Sequence, residues 1–545
     1  MRFVPFVLAA LLAACASAPA PEPVQVRILA INDFHGNLKP PLGGIRIKDP
    51  ADPAKQISVP AGGAEHLATA VAELEKGHPD HIFVAAGDLI GASPLLSALF
   101  HDEPTVEALS TMGLEVSSVG NHEFDKGVAE LQRMQRGGCA ADGCKGPAPF
   151  RGARYNYLAA STVDTKTGQT IFPAYYVKRF QGIPVAFIGL TLKDTPSMVV
   201  PAGVEGLRFR DEAETVNALV PEIRAQGIEA IVVLIHEGGF PEGDYNECPG
   251  ISGPIVDIVR KLDKAVDLVI SGHTHRAYNC RIDGRLVTSG DKYGTIVTAI
   301  DIALDPKTRD VISAKADNVI VRTERFASDP VQTKLVAGYE ALAGPLARRV
   351  VGSIGAALTR ETNAAGESPL GQVIADAQLA ATRDAGAQIA FMNEGGIRAD
   401  LARPADGQLR YEDLFTVQPF YNNLVTMTLT GAQITQLLEQ QWINQPKARL
   451  MKVSKGFAYT WDADKPMGQH VVPGSLTLDG KTIDAAGRYR VTVNSFMASG
   501  GDNYVELKKG SQARTGMMDI DALELFVKNN PGLRPGALDR ITRLH

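Results

Sequence analysis

Short runs of nearly pure hydrocarbon recur along the chain from Val24 to about Arg325, each close to strand length. The clearest are Val26–Ile31, His81–Ala86, Val116–Val119, Ile183–Gly189, Ala230–Ile235 and Leu268–Ser271. Amphipathic stretches lie between them, among them Ala64–Glu75, Val106–Thr111, Glu214–Ala225 and Pro254–Leu262. Strand-like and helix-like segments in alternation predict a layered α/β domain.

The pattern then changes. From Phe326 to Ala347 the apolar residues Val331, Leu335, Tyr339 and Leu342 recur at spacings of three and four, which predicts one helix connecting two domains. Beyond Val350 helical segments (Gly371–Arg383, Gly431–Gln441) mix with strands (Asn423–Thr428, Arg488–Asn494), so a second, α+β domain is expected.

Length and charge refine this picture. At 545 residues the chain is expected to hold two or three domains. A formal net charge of −6 argues against a broad face for a nucleic-acid polymer, so an anionic substrate must be attracted locally. The opening MRFVPFVLAALLAAC pairs one Arg with an apolar run too short to span a bilayer, as an export signal does. Leu12-Ala13-Ala14-Cys15 resembles the lipobox of bacterial lipoproteins, whose Cys becomes the lipidated first residue. Ala16 after that Cys resembles the outer-membrane sorting signal, so lipid is the expected membrane attachment and the expected location is the periplasm or cell surface. ASAPAPEPVQ reads as a flexible tether. Four cysteines remain, with three possible pairings; Cys139–Cys144 with Cys248–Cys280 is preferred over a metal knuckle, because C-x-x-C spacing is absent.

Candidate chemistry sits at the ends of the strands. The first runs into Asn32-Asp33-Phe34-His35, the second into Gly87-Asp88, and the third into Gly120-Asn121-His122-Glu123-Phe124-Asp125. The Ala230 run ends at His236-Glu237 and the Leu268 run at Gly272-His273-Thr274-His275. Carboxylate, amide and imidazole are metal-ligand groups, and open α/β sheets bind ligands beyond the carboxyl ends of their strands. Each pair alone is weak; the ordered set, each member behind its own strand, is not turn chemistry.

D-x-H, G-D, G-N-H-E, H and G-H-x-H in this order resemble the calcineurin-like metallophosphoesterases. INDFHGNL, AAGDLIGASPL and VGNHEFDKG are similar to the 5′-nucleotidase family, over nearly all of the mature chain. That resemblance implies a four-layer β-sandwich flanked by helices, joined by a helix to a smaller substrate-binding domain. Together with the lipobox and the pattern of runs, it places the signal at 1–14, the lipidated Cys and tether at 15–24, the metal domain at 25–325, the connecting helix at 326–349 and the second domain at 350–545. It further implies two divalent ions, of which zinc, manganese and cobalt suit the donors. Asp33, His35, Asp88 and His275 would hold one; Asp88, Asn121, His236 and His273 the other, with Asp88 shared. His122, oriented by Asp125, is the implied catalytic residue.

In the second domain, Asn393-Glu-Gly-Gly-Ile-Arg398 resembles the N-G-G-G-I-R element of the nucleotidases, with Glu394 in place of a Gly. The resemblance gives substrate contacts to Asn393 and Arg398. It also matches Phe420 and Phe496 to the two base-stacking rings, Asn422 to their neighbourhood, and Asp502 to the acceptor for ribose. Arg360 is a further phosphate candidate, and Tyr421 stands where many relatives have Gly.

The expected activity is release of phosphate from nucleotides outside the cytoplasm. 2′,3′-Cyclic nucleotide phosphodiesterase or UDP-sugar hydrolase activity on the same scaffold is the near alternative. More distant ones are a thiosulfohydrolase, or a surface nucleoside-binding lipoprotein with a vestigial metal site.

Overall fold

The computed structural model describes residues 21–445 and 447–545. The signal and lipobox, with Cys15, lie outside the described residues. Two six-stranded sheets face each other in the first half of the chain. The first runs, edge to edge, Val311–Ile320, Ile296–Leu304, Val24–Ile31, His81–Ala85, Val116–Ser118, Asn156–Leu158. Its last four strands are parallel. The second runs Ala277–Ile282, Arg285–Gly290, Leu268–Ser271, Ala230–His236, Ile183–Thr191, Tyr175–Phe180, with its four central strands parallel.

Val26, Ile28, Val84, Val185, Val232 and Leu268 interleave between the sheets. Helices Ala64–Glu75 and Glu103–Thr111 cover the outer face of the first sheet; Glu212–Ala225 and Pro254–Lys261 cover the second. These are the four expected layers. Every residue of Ile183–Thr191 and Ala230–His236 is buried, which is why those strands read as unbroken hydrocarbon. Both preferred cysteine pairs, Cys139–Cys144 and Cys248–Cys280, are disulfides.

The connecting helix spans Pro330–Ala347 and is capped by Asp329, whose side chain accepts from Val331 N and Gln332 N. Its buried face departs from the expected stripe. Val331 and Leu342 are exposed, at 57% and 49%, while Gln332, Val336, Tyr339 and Ala343 are buried. A polar residue is tolerated on that face because Gln332 Nε2 donates to Ala108 O and Thr111 Oγ1. Apolar spacing does not register such an amide.

The second domain is built on a five-stranded sheet in the order Lys452–Val453, Ile389–Met392, Arg488–Asn494, Asn423–Thr430, Ser511–Met518. Helices Pro369–Ala381, Gly431–Glu439 and Asp519–Asn529 pack on it. A smaller four-stranded sheet includes Phe457–Asp462 and the C-terminal strand Ile541–Leu544.

Candidate metal centre and substrate cleft

All seven proposed ligands stand at the carboxyl ends of strands, and they converge. Asp33, His35 and His275 form one triad and Asp88, His236 and His273 a second, each with its donor atoms within 4.8 Å of one another. Asp88 Oδ2 lies 3.0 Å from His236 Nε2 and 3.6 Å from His35 Nε2, so its carboxylate stands between the triads. Asn121 Oδ1 is 3.1 Å from His273 Nδ1 and completes the second group.

The backbone is strained where the candidate ligands are. Asp33, His35, Asp88, His273 and His275 all have φ between 45° and 68°. Side chains rarely adopt this region, and such outliers persist only where surrounding structure fixes them. Two glycines show why the loops read G-D and G-N. A Cβ on Gly87 would lie 2.8 Å from His236 Nδ1, and one on Gly120 would lie 2.5 Å from Asp88 N.

Hydrogen bonds set which ring nitrogens face inward. His236 Nδ1 donates to Ala86 O and His35 Nδ1 donates to Gly91 O, both at 2.8 Å, so each Nε2 faces the cluster. His35 Nε2 is 3.1 Å from His275 Nε2, and Asp33 Oδ1 is 3.2 Å from His275 Nε2. Asp33 Oδ1 and His236 Nε2 are buried with no hydrogen-bond partner among the described residues. Burial alone would lower the His236 imidazole, but the Asp88 carboxylate reverses this and raises it to about 10. Imidazole nitrogens, an amide oxygen and carboxylates converging in a buried cluster are a donor set that fits cations, for which His236 would give up its proton.

His122 sits beside this cluster. Its Nδ1 lies 2.8 Å from Asp125 Oδ2, and its backbone N–H donates to Asp88 Oδ1 at 2.9 Å. Burial pushes the His122 imidazole down, yet the Asp125 and Asp88 carboxylates win and hold it above its ordinary value.

A cleft of about 470 Å³ separates the metal cluster from the second domain, and it is lined by residues of both. Arg360, Asn393, Arg398, Phe420, Asn422, Phe496 and Asp502 all line it. The Phe420 ring is nearly parallel to His122, with centroids 5.9 Å apart, and the Arg398 guanidinium lies 5.8 Å from the centre of the same ring. Arg398 Nε and Nη2 are buried without a partner among the described residues. Tyr421 packs on Phe415 and stands at the cleft. Asn393 spends its amide inside the protein, donating to Asp502 Oδ2 and accepting from Asn494 Nδ2.

Residues 26–277 match the calcineurin-like phosphoesterase family, and residues 348–509 match the 5′-nucleotidase C-terminal domain. A cell wall protein of Listeria monocytogenes is 31% identical over 94% of this chain and 68% of its own length. The chain belongs to the 5′-nucleotidase family. As a family member it is a metal-dependent phosphoesterase. An endonuclease of Bacillus subtilis is 32% identical over 93% of the chain, and the chain spans only 40% of that relative's length. The solved 5′-nucleotidase precursor of Thermus thermophilus superposes with a TM-score of 0.78 at 25% identity, over 95% of this chain and 99% of that one.

Sequence reasoning missed two residues that build this nucleotidase-family centre. Glu123 is 3% exposed and accepts from the backbone N–H groups of Asp88, Leu89 and Gly120 at 3.0, 2.8 and 2.6 Å. It ties the Asp88 loop to the Asn121 loop, and burial followed by the Asp88 charge raises its carboxyl to about 7. Asn32 donates to Asp33 Oδ2 at 2.7 Å and accepts from Gly290 N at 2.7 Å, which fixes the first ligand against the far sheet. Both residues stood inside the quoted motifs, but nothing in their spacing distinguished them from turn residues.

Proposed function

We propose that this chain is a 5′-nucleotidase acting outside the cytoplasm, with two divalent ions held by Asp33, His35, Asp88, Asn121, His236, His273 and His275. The observation that carries the reading is the shared cleft, with the metal cluster on one wall and Phe420, Phe496 and an unpaired Arg398 on the other. When bound, a pair of divalent ions supplies a hydrolytic nucleophile near neutral pH and neutralises charge on the phosphoryl oxygens.

The chain's own residues do the rest. Phe420 and Phe496 offer aromatic faces to a base, for which stacking is tolerant of base identity. Arg398 presents unused donors to a phosphate, and Arg360 stands at the same cleft as a weaker phosphate holder. His122, held by Asp125, stabilises charge at the reacting phosphoryl group and is placed to pass a proton to the leaving oxygen. The expected export signal, the Cys15 lipobox and two disulfides support a location outside the cytoplasm.

Phosphate release from AMP, ATP, UDP-glucose and 2′,3′-cyclic AMP, each with zinc, manganese or cobalt, tests this reading. AMP should be hydrolysed best, and chelator should abolish turnover. Preference for the cyclic nucleotide or the nucleotide sugar would move the assignment to a sister activity. Nucleoside binding with no hydrolysis under any metal would overturn it.

A further inference from the structure

Arg449 lies between the helix Gly431–Glu439 and the short strand Lys452–Val453. Its backbone is pinned at both polar groups. The N–H donates to Gln441 O at 2.8 Å, and the carbonyl accepts from Tyr504 Oη at 2.6 Å. The side chain ion-pairs with Asp502 through Nη1 and Oδ1. Asp502 Oδ2 is already taken by Asn393 Nδ2 at 2.7 Å. Both oxygens of Asp502 are therefore engaged within the protein. The Arg449 pair is charge-assisted, the stronger kind of bond, so it holds the guanidinium against Asp502.

Arg449 itself has capacity to spare. A guanidinium carries five N–H donors. Among the described residues its side chain meets no acceptor but Asp502, and it lines the substrate cleft at 22% exposure. Lys447 lines the same wall, with Nζ 5.5 Å from the centre of the Phe240 ring. Arg449 thus brings a cation to the part of the cleft where Asp502 stands, while Lys447 adds a second positive charge elsewhere on its lining.

We propose that Arg449 is an anion subsite for a second phosphate on the 2′ or 3′ oxygen of the ribose. The preferred substrates are then nucleoside bisphosphates, cleaved at the 5′ position. Asp502 acts as a positioning residue that holds the guanidinium with its free edge toward the cleft. This inference rests on the nucleotidase reading above and narrows it.

The test compares adenosine 3′,5′-bisphosphate, AMP and ADP with the metal-loaded full chain, its R449A variant and its R449K variant. Released phosphate and the nucleoside product are both measured. Wild-type kcat/KM should favour the bisphosphate over AMP by about tenfold, the worth of one charge-assisted hydrogen bond, with adenosine 3′-phosphate as the product. ADP should gain no such advantage. R449A should bring the ratio near unity through KM, and R449K, which keeps charge without the fork, should restore part of it. If R449A does not fold, a fall in the ratio for R449K decides the matter.

Equal efficiency for the two substrates, an advantage shared by ADP, or a proportional loss on both in the variants would overturn the subsite alone. No phosphate from any of the three would overturn the nucleotidase reading and the subsite with it.

Discussion

The two walls of the cleft hold their functional groups in different ways. On the metal wall, five ligand residues sit in left-handed backbone, and the loops carrying Asp88 and Asn121 are tied together by one buried carboxylate. On the opposite wall, Phe420 and Phe496 are half-buried, and Phe420 packs against His122 and Arg398 of the cleft rather than into a core. The difference teaches where stability is spent. Chemistry at phosphorus requires donors fixed to within fractions of an ångström, and strained loops braced from behind supply that. Recognition of a base requires a flat apolar face, which tolerates looser placement.

The contrast is sharpest at Asp88, the carboxylate that stands between the two triads. Asp88→Asn should lower kcat/KM by about a thousandfold or more, because in the proposed centre one charge would serve two ions. Metal analysis should show less than the wild-type complement. Near wild-type turnover in this variant would remove Asp88 from the centre.

Glu123→Ala probes the brace itself. It strips acceptors from buried backbone N–H groups, and each such orphan costs about 1–3 kcal/mol, so a loss of about 3 kcal/mol is expected. Urea unfolding of metal-free protein reads this out, and a loss below about 1 kcal/mol would mean the loops hold without it.

Phe420→Ala, on the recognition wall, should behave oppositely. KM for AMP should rise about tenfold, in line with about 1–3 kcal/mol per stacked base, with unfolding stability little changed. A large stability loss with unchanged KM would make Phe420 a packing residue.

An effect read only through pH concerns Asp519, which stands behind Asn422. Burial raises its carboxyl from 3.8 to about 7, against hydrogen bonds from Ile520 N and the Asn422 side chain. Between those values the folded chain binds a proton that the unfolded chain has released. Stability from this group is therefore full below about pH 4 and falls as pH rises toward about 7. Asp519→Asn should flatten that slope in unfolding curves taken from pH 5 to 8; an unchanged slope would place the proton elsewhere.

The metal wall was largely legible in the sequence because its ligands follow hydrocarbon strands at once. Asp33 and His35 come directly after Ile31, and His236 ends its own strand. Strand order and parallel pairing then carry such residues to one edge without long-range information. The recognition wall was legible only through family likeness. Phe420 and Arg398 lie in separate loops of the second domain, and no local pattern links them. Gln332 in the connecting helix shows the same limit, since a buried amide whose Nε2 is bonded to another helix breaks the apolar stripe.

By itself, the sequence determined the alternation of strand and helix and the two-domain plan, because hydrophobic periodicity acts over neighbouring residues, and it put polar groups at the strand ends where family likeness proposes seven ligands. Only the tertiary structure decided that Glu123 binds two ligand loops together, that His122 meets Phe420 across the cleft, and that Arg449 occupies Asp502. Those contacts join residues far apart in the chain. Their energies depend on burial and on partners brought together by packing, which no local string of residues encodes.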